Sequence, residues 1–184
     1  MPPDPPVTSA RLPLRSDTAQ GYHHCMKYLV LVAWIAAAAC GPSSAEIRTA
    51  QTATYQTSAA EMYKVALQVA AEDYKIGETD EASAAFATLP QWYSPEGGRQ
   101  SAGAGDFVQL DDRSVQLSLV VEVAELDDHH VIVKVTPVTM QHLSGSPQPR
   151  ELAPDDPNLP GWVTGRAESL QVAIYQHAQP FVTK

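Results

Sequence analysis

The chain contains little cysteine, few basic residues and no apolar stretch long enough to cross a bilayer. Cys25 and Cys40 are its only cysteines among 184 residues, so a framework of several disulfides is excluded. Lys and Arg number 12 against 21 Asp and Glu, with no basic stripe. Nucleic acid is therefore not an expected partner. The longest apolar stretch, residues 28–39, is shorter than the roughly 20 residues of a membrane-spanning helix.

The sequence patterns that typify enzymes are also lacking. There is no Gly-x-Ser-x-Gly motif and no pair of carboxylates in an apolar frame, and Gly103-Ala104-Gly105 has neither a third glycine nor a following helix. The cluster at residues 127–130, Asp-Asp-His-His, has metal-ligand side chains, but neighbouring strand residues point to opposite faces. We therefore interpret it as a solvated hairpin turn. We expect no enzyme activity, no metal site and no cofactor.

The apolar stretch has the layout of a secretory signal. Lys27 precedes residues 28–39, and small residues follow as Ala37-Ala38-Ala39-Cys40, which is a basic residue, an apolar segment and a cleavage region in order. The last four residues resemble the lipobox of bacterial lipoproteins. That resemblance implies that Cys40 receives diacylglycerol and becomes the first residue of the mature protein. Because Gly41 rather than Asp follows Cys40, it also implies sorting to the periplasmic side of the outer membrane.

This interpretation divides the chain into four parts. Residues 1–25 are Pro-rich without an apolar period, so we interpret them as a misassigned start ahead of Met26 or as a disordered leader. Residues 26–39 form the signal peptide, 40–48 a lipidated tether, and 49–184 a single domain. With Cys40 acylated, the domain is expected to fold without a disulfide and to reach the membrane only through its lipid.

The periodicity of the domain predicts an α+β fold. Residues 49–57 are rich in Thr and predict a first strand. Ser58 and Glu61 form a capping-box pattern at the start of a helix whose apolar face ends near Asp73. Two short strands should flank the acidic turn at residues 78–81. The clearest alternation, at residues 114–126, predicts a long strand with one covered face.

The remaining residues complete the predicted sheet and add a second helix. Residues 129–143 should form the returning strand, at an edge or bulged near Pro137, which cannot donate a ladder hydrogen bond. Residues 144–160 are predicted to be a crossing loop, and Gly161 to about Ala178 an amphipathic helix. The order β-α-β-β-β-β-α predicts an antiparallel sheet of about five strands with two helices packed on one face.

One segment resembles a known family of envelope lipoproteins. Residues 55–90 place a helix after a first strand, then a strand beginning Tyr-x-Ile, then a strand that ends in Thr and Pro. In pattern and order this is similar to the helix-grip domains of BamC-type lipoproteins of the outer-membrane β-barrel assembly machine. The resemblance implies a helix-grip-like fold in the cell envelope and a role in outer-membrane assembly or maintenance, but no catalytic residue.

Three aromatic residues are the candidate binding residues. Trp92, Tyr93 and Trp162 each stand near Pro or Gly at the end of an element, where large aromatic side chains often serve binding surfaces; rim positions of a core are the alternative. Two functions are compatible with these patterns. The domain is either an interaction module for other envelope proteins, or a carrier of a small hydrophobic ligand in a cavity lined by Leu117, Leu119, Val121 and the C-terminal helix.

Overall fold

The computed structural model describes residues 41–100 and 110–183. They form an α+β fold in which an antiparallel sheet packs against helices. In chain order the elements are α1 (Ser44–Thr52), β1 (Tyr55–Gln56), α2 (Ala59–Asp73), β2 (Ile76–Asp80), β3 (Ala85–Thr88), β4 (Gln91–Tyr93), β5 (Val115–Asp127), β6 (His130–Gln141), β7 (Arg150–Leu152), α3 (Gly161–His177) and a short 3₁₀ turn (Gln179–Phe181).

A long hairpin of β5 and β6 forms the middle of the sheet. The two strands pair antiparallel from Val115 opposite Gln141 to Asp127 opposite His130. On the side of β5 away from β6, the strand pairs with β4 and, further along, with β3, and β3 pairs with β2. On the side of β6 away from β5, the strand pairs with β1 near the tip of the hairpin and with β7 near the other end. Short strands therefore flank both sides of one long hairpin.

The core lies between one face of the sheet and the helices α2 and α3. Alternate residues of β5 are buried with exposures of 0 to 5 %, and the same cluster contains apolar residues of both helices. Those β5 residues are Val115, Leu117, Leu119, Val121 and Val123. The helix residues at its centre include Met62, Ala66, Val163 and Ile174. The predicted alternation of β5 and the predicted apolar faces of both helices are thus confirmed.

The strand predicted over residues 49–57 is largely wrong. Helix α1 occupies Ser44–Thr52, and the strand is reduced to Tyr55–Gln56. Ser43 caps this helix because its hydroxyl accepts from the Glu46 N–H at 3.3 Å, while the Glu46 carboxylate accepts from the Ser43 N–H at 2.8 Å. The boundary predicted at Thr49 therefore falls inside a helix, and the supposed tether includes its first turn.

The predicted numbers of strands and helices also need correction. The described residues form seven strands rather than about five, and α1 is a third helix. The two extra strands, β4 and β7, are three residues long, too short to show a period of two. β7 lies in the segment predicted to be a crossing loop. The ends of α2 and α3 are as predicted. Of the capping box predicted for α2, one half forms: the Ser58 hydroxyl accepts from the Glu61 N–H, while the Glu61 carboxylate accepts from the Thr57 hydroxyl instead of from the Ser58 N–H.

Pro137 lies where β6 has no neighbouring strand on the side away from β5. β1 covers residues 130–131 and β7 covers 139–141, so the predicted edge position of Pro137 is confirmed. Beside this gap the buried side chain of Gln171 in α3 makes hydrogen bonds that a neighbouring strand would otherwise make. Its amide accepts from the Val135 N–H at 3.1 Å and donates to the Val133 carbonyl at 3.0 Å and to the Ala50 carbonyl at 3.2 Å. One side chain thus joins β6, α3 and α1.

Candidate functional site

Trp92 and Tyr93 are adjacent in β4 and point to opposite faces of the sheet. Tyr93 lies opposite Val115 and is 1 % exposed, so it belongs to the core. Trp92 lies opposite Gln116 and is half-buried, and it does not pack against the core cluster. Strand alternation separates the two aromatic rings. Of the adjacent pair, only Trp92 is placed where a partner could reach it.

Trp162 joins Tyr93 rather than Trp92. It lies in the first turn of α3, with its ring centroid 5.1 Å from that of Tyr93. The guanidinium of Arg166, one turn further along, lies 4.5 Å from the Tyr93 centroid and 5.7 Å from that of Trp162. Cation–π contacts of this kind stabilise a packed arrangement. Tyr93, Trp162 and Arg166 therefore fix α3 to β4.

A tight turn after β4 is held by the same cluster. The indole N–H of Trp162 donates to the Pro95 carbonyl at 2.9 Å, and Arg166 donates to the Gly97 carbonyl at 3.1 Å. Gly97 has φ of +90°, and a Cβ there would meet the Trp162 ring at 3.0 Å. Residues 96–106 are rich in Gly and Ser, which predicts a mobile loop, but residues 94–100 return along β4 in a paired turn. The rest of that predicted loop, residues 101–106, lies outside the described residues.

The face of the sheet opposite the core has no helix packed on it among the described elements. We call it the open face, and its alternate residues on β4, β5 and β6 include these six: Trp92, Gln116, Ser118, Val120, Val138 and Met140. Val138 is 44 % exposed, and none of the six carries a charge. Further toward the hairpin, Glu122 lies opposite Lys134, so charge begins where the uncharged patch ends.

No known protein family matches this chain. A comparison with curated proteins gave no match either. Its chemistry must therefore be inferred from the side chains that the structure brings together.

The Asp127–His130 cluster forms the tip of the β5–β6 hairpin. Asp127 accepts a hydrogen bond from the His129 N–H at 2.9 Å and contacts His130 Nδ1 at 2.8 Å. The bond from the His129 N–H, followed by that from His130, lowers the pKa of Asp127 below its usual value. Within the described residues no three potential metal ligands converge. The residues predicted to form a solvated turn do so.

Four clefts open on the surface of the described residues. One of about 410 Å³ is lined by Tyr74, Pro90, Tyr93 and Arg99, among others. Another of about 480 Å³ is lined by Gly41, Pro42, Ile47, Glu96, Gly97 and Trp162, among others. Leu117, Leu119 and Val121 line neither of these two, nor the clefts beside His130 and Gln171. All three are packed in the core, with exposures of 2, 0 and 0 %.

Cys40, the predicted lipidation site, lies outside the described residues. No helix in the described ranges is long and apolar enough to cross a membrane. The first described residue is Gly41, the direct neighbour of the predicted anchor. Since the structure describes the chain only from Gly41 onward, the lipidation of Cys40 stays a prediction.

Sequence reasoning missed most of the open face. It singles out Trp92, whereas it gives Val120, Val138 and Met140 no role beyond their strands. Val120 is an exception to the alternation of β5, and that exception is the available signal: an apolar residue at a wet position. Arg166 gives no signal, because its role depends on the ring of Tyr93, which is distant in the chain.

Proposed function

We propose that the protein is a lipid-anchored lipoprotein of the cell envelope, facing the periplasm, whose domain is a non-catalytic protein-interaction module. The anchor would be Cys40, as the lipobox-like Ala37–Cys40 segment implies, and the compartment would be the periplasmic side of the outer membrane. The observation that carries the module is the open face. It presents Trp92, Val120, Val138 and Met140 on a sheet whose other face is fully packed.

The uncharged open face favours another envelope protein as its partner. Aromatic residues and Met are enriched at the centre of protein interfaces, whereas charged residues are depleted there. The surrounding protein is acidic, and Glu122 and Glu151 stand at neighbouring positions of the sheet. A partner surface with an apolar centre and basic residues at its rim would match this arrangement. The described clusters present no catalytic or metal-binding arrangement to compete with it.

The finer architecture of the fold is part of the proposal. A long C-terminal helix packed across an antiparallel sheet supports a helix-grip-like arrangement, as in BamC-type domains, although α1 and two short strands are additions to that pattern. A role in outer-membrane assembly or maintenance is the expected setting. The alternative of a ligand carrier finds less support, because the residues chosen to line its cavity are tightly packed.

Replacing Trp92 tests the interaction surface. The Trp92→Ala protein should lose co-purification with its envelope partners from detergent extracts, since truncating a central Trp costs at least about 2 kcal/mol of binding. Its melting temperature should change little, because Trp92 does not pack on the core. Leu126→Ala is the control: Leu126 is 57 % exposed near the hairpin tip, about 20 Å along β5 from Val120, and its loss should leave co-purification intact. A Trp92→Ala protein that still captures the same partners would refute this surface.

Replacing Cys40 tests the anchor separately. Cells fed a fatty-acid probe should label the wild-type protein and fail to label Cys40→Ser, which should appear in the soluble fraction. Equal labelling of the two proteins would contradict the lipoprotein assignment and leave the open-face proposal standing.

A further inference from the structure

The folded domain begins so soon after Cys40 in the sequence that no flexible tether separates them. Gly41, Pro42 and Ser43 are the only residues between Cys40 and α1. Ser43 is already fixed by its capping box with Glu46, in which the Ser43 hydroxyl donates to the carboxylate at 2.7 Å. Gly41, the residue directly after Cys40, therefore lies within three residues of the first turn of α1.

Helix α1 is in turn fixed to the rest of the domain. Ala50 is 1 % exposed, and its carbonyl accepts from the buried amide of Gln171 in α3 at 3.2 Å. At the start of the helix, Gly41, Pro42 and Ile47 share a cleft with Gly97 and Trp162. We call this part of the surface the anchor end. The residues that follow Cys40 therefore belong to the packed domain from the start of α1 onward.

The hairpin tip marks the opposite end of the molecule. The cleft beside His130 is lined by Thr52 at the end of α1 and by Tyr175 near the end of α3, so both helices run from the anchor end toward the tip. β5 has 13 residues and spans roughly 43 Å at 3.3 Å per residue. The anchor end and the tip are thus separated by most of the length of the sheet.

We infer that the lipid anchor at Cys40 holds the anchor end against the bilayer surface, with the Asp127–His130 tip pointing away from it. This orientation rests on the proposed lipidation of Cys40. Trp162 is half-buried at this end, and Trp is enriched at the boundary between lipid and water. Glu46, Glu96 and Glu168 lie at or beside this end. Carboxylates are not attracted to anionic headgroups, so the contact would be imposed by the short linkage, and a zwitterionic surface would oppose it least.

The orientation leaves the open face accessible. Its rows of residues run along the strands, between the anchor end and the tip, so the face stands upright from the bilayer instead of lying on it. A partner would then approach from the side, at a height above the membrane set by the three residues after Cys40.

Energy transfer to labelled lipids tests the orientation. Glu96→Cys at the anchor end and Asp128→Cys at the tip are matched changes of exposed acidic turn residues, and either gives the acylated protein one free thiol for a fluorophore. In phosphatidylcholine vesicles with an acceptor on the headgroup, transfer from position 96 should exceed that from position 128 several-fold. Inserting about 15 Gly and Ser residues after Gly41, a random coil of roughly 20 Å, should remove most of the difference.

The outcomes separate this inference from the proposal beneath it. Fatty-acid labelling of each variant shows whether Cys40 is acylated, and its absence would overturn both. Acylated proteins with equal transfer from positions 96 and 128, or transfer that the insertion does not change, would overturn only the orientation. Unchanged melting temperatures for both cysteine variants establish that the folds are comparable.

Discussion

The two faces of the β-sheet differ in what covers them, although the same strands make both. Along β5, Leu119 is fully buried beneath the helices, whereas the next residue, Val120, is only half-buried on the open face. β4 repeats the contrast with Tyr93 and Trp92. The sheet therefore uses one face to hold the fold together and leaves the other, uncharged over six positions, for a different use. The covered face determines stability, and the open face should determine partners.

The strongest test of this comparison is a pair of truncations in β5. Leu119→Ala should lower the free energy of unfolding by about 4 kcal/mol, because it leaves a cavity in a packed core. Val120→Ala should cost about 1 kcal/mol or less, because the side chain is partly solvated. Denaturant unfolding of both variants measures the difference. Similar losses would mean that the open face is covered in solution, for instance by a second copy of the chain.

The gap beside Pro137 provides the second test. Gln171→Leu should cost about 3 kcal/mol, since three backbone groups of β6 and α1 lose the amide that pairs with them in a buried site. Gln176→Leu is the matched control, because Gln176 lies on the same helix and is exposed. Thermal and denaturant unfolding should show the loss for position 171 alone. A neutral Gln171→Leu would show that α3 does not substitute for a strand there.

Alkaline pH should affect the covered face through Tyr55. Burial, with a smaller contribution from Tyr175, raises the pKa of Tyr55 to about 12. The folded state therefore favours the neutral hydroxyl. Its contribution to stability is complete below about pH 10, which is the pKa of Tyr in the unfolded chain, and is lost as the pH rises toward 12. The loss should reach about 2 kcal/mol. Tyr55→Phe should show a correspondingly smaller decrease in stability between about pH 10 and 12 in denaturant unfolding.

The smallest expected effect is on the open face itself. Val138→Thr keeps the shape of the side chain but replaces one methyl group with a hydroxyl, at a position that is 44 % exposed. The free energy of unfolding should change by less than about 0.5 kcal/mol, as measured by denaturant unfolding of the isolated protein. Binding of an envelope partner should nonetheless weaken if the partner desolvates this site. A clear loss of stability would mean that Val138 is buried even in the isolated protein.

The structure and the sequence agree where a long element has a strong period. The five apolar positions of β5 from Val115 to Val123 and the helical spacing in α2 and α3 predict which residues are buried, because a sheet alternates and a helix repeats every 3.6 residues. Helix α1 escapes this reasoning, since only Ala50 in it is buried and no apolar stripe exists. Its capping box, Ser43 to Glu46, is nevertheless a local signal of the same kind as Ser58 to Glu61.

The sequence by itself determined the α+β class, the covered face of β5, the hairpin at residues 127–130 and the edge position of Pro137. These depend on periodicity, turn chemistry and the missing proline N–H, which act within a few residues. Only the tertiary structure decided that Tyr93 is core while Trp92 is open, that Gln171 closes the gap in β6, and that α1 is part of the body. Each depends on which distant residues meet: β4 must pair with β5, and α3 must cross β6. No local pattern in a single chain carries that information.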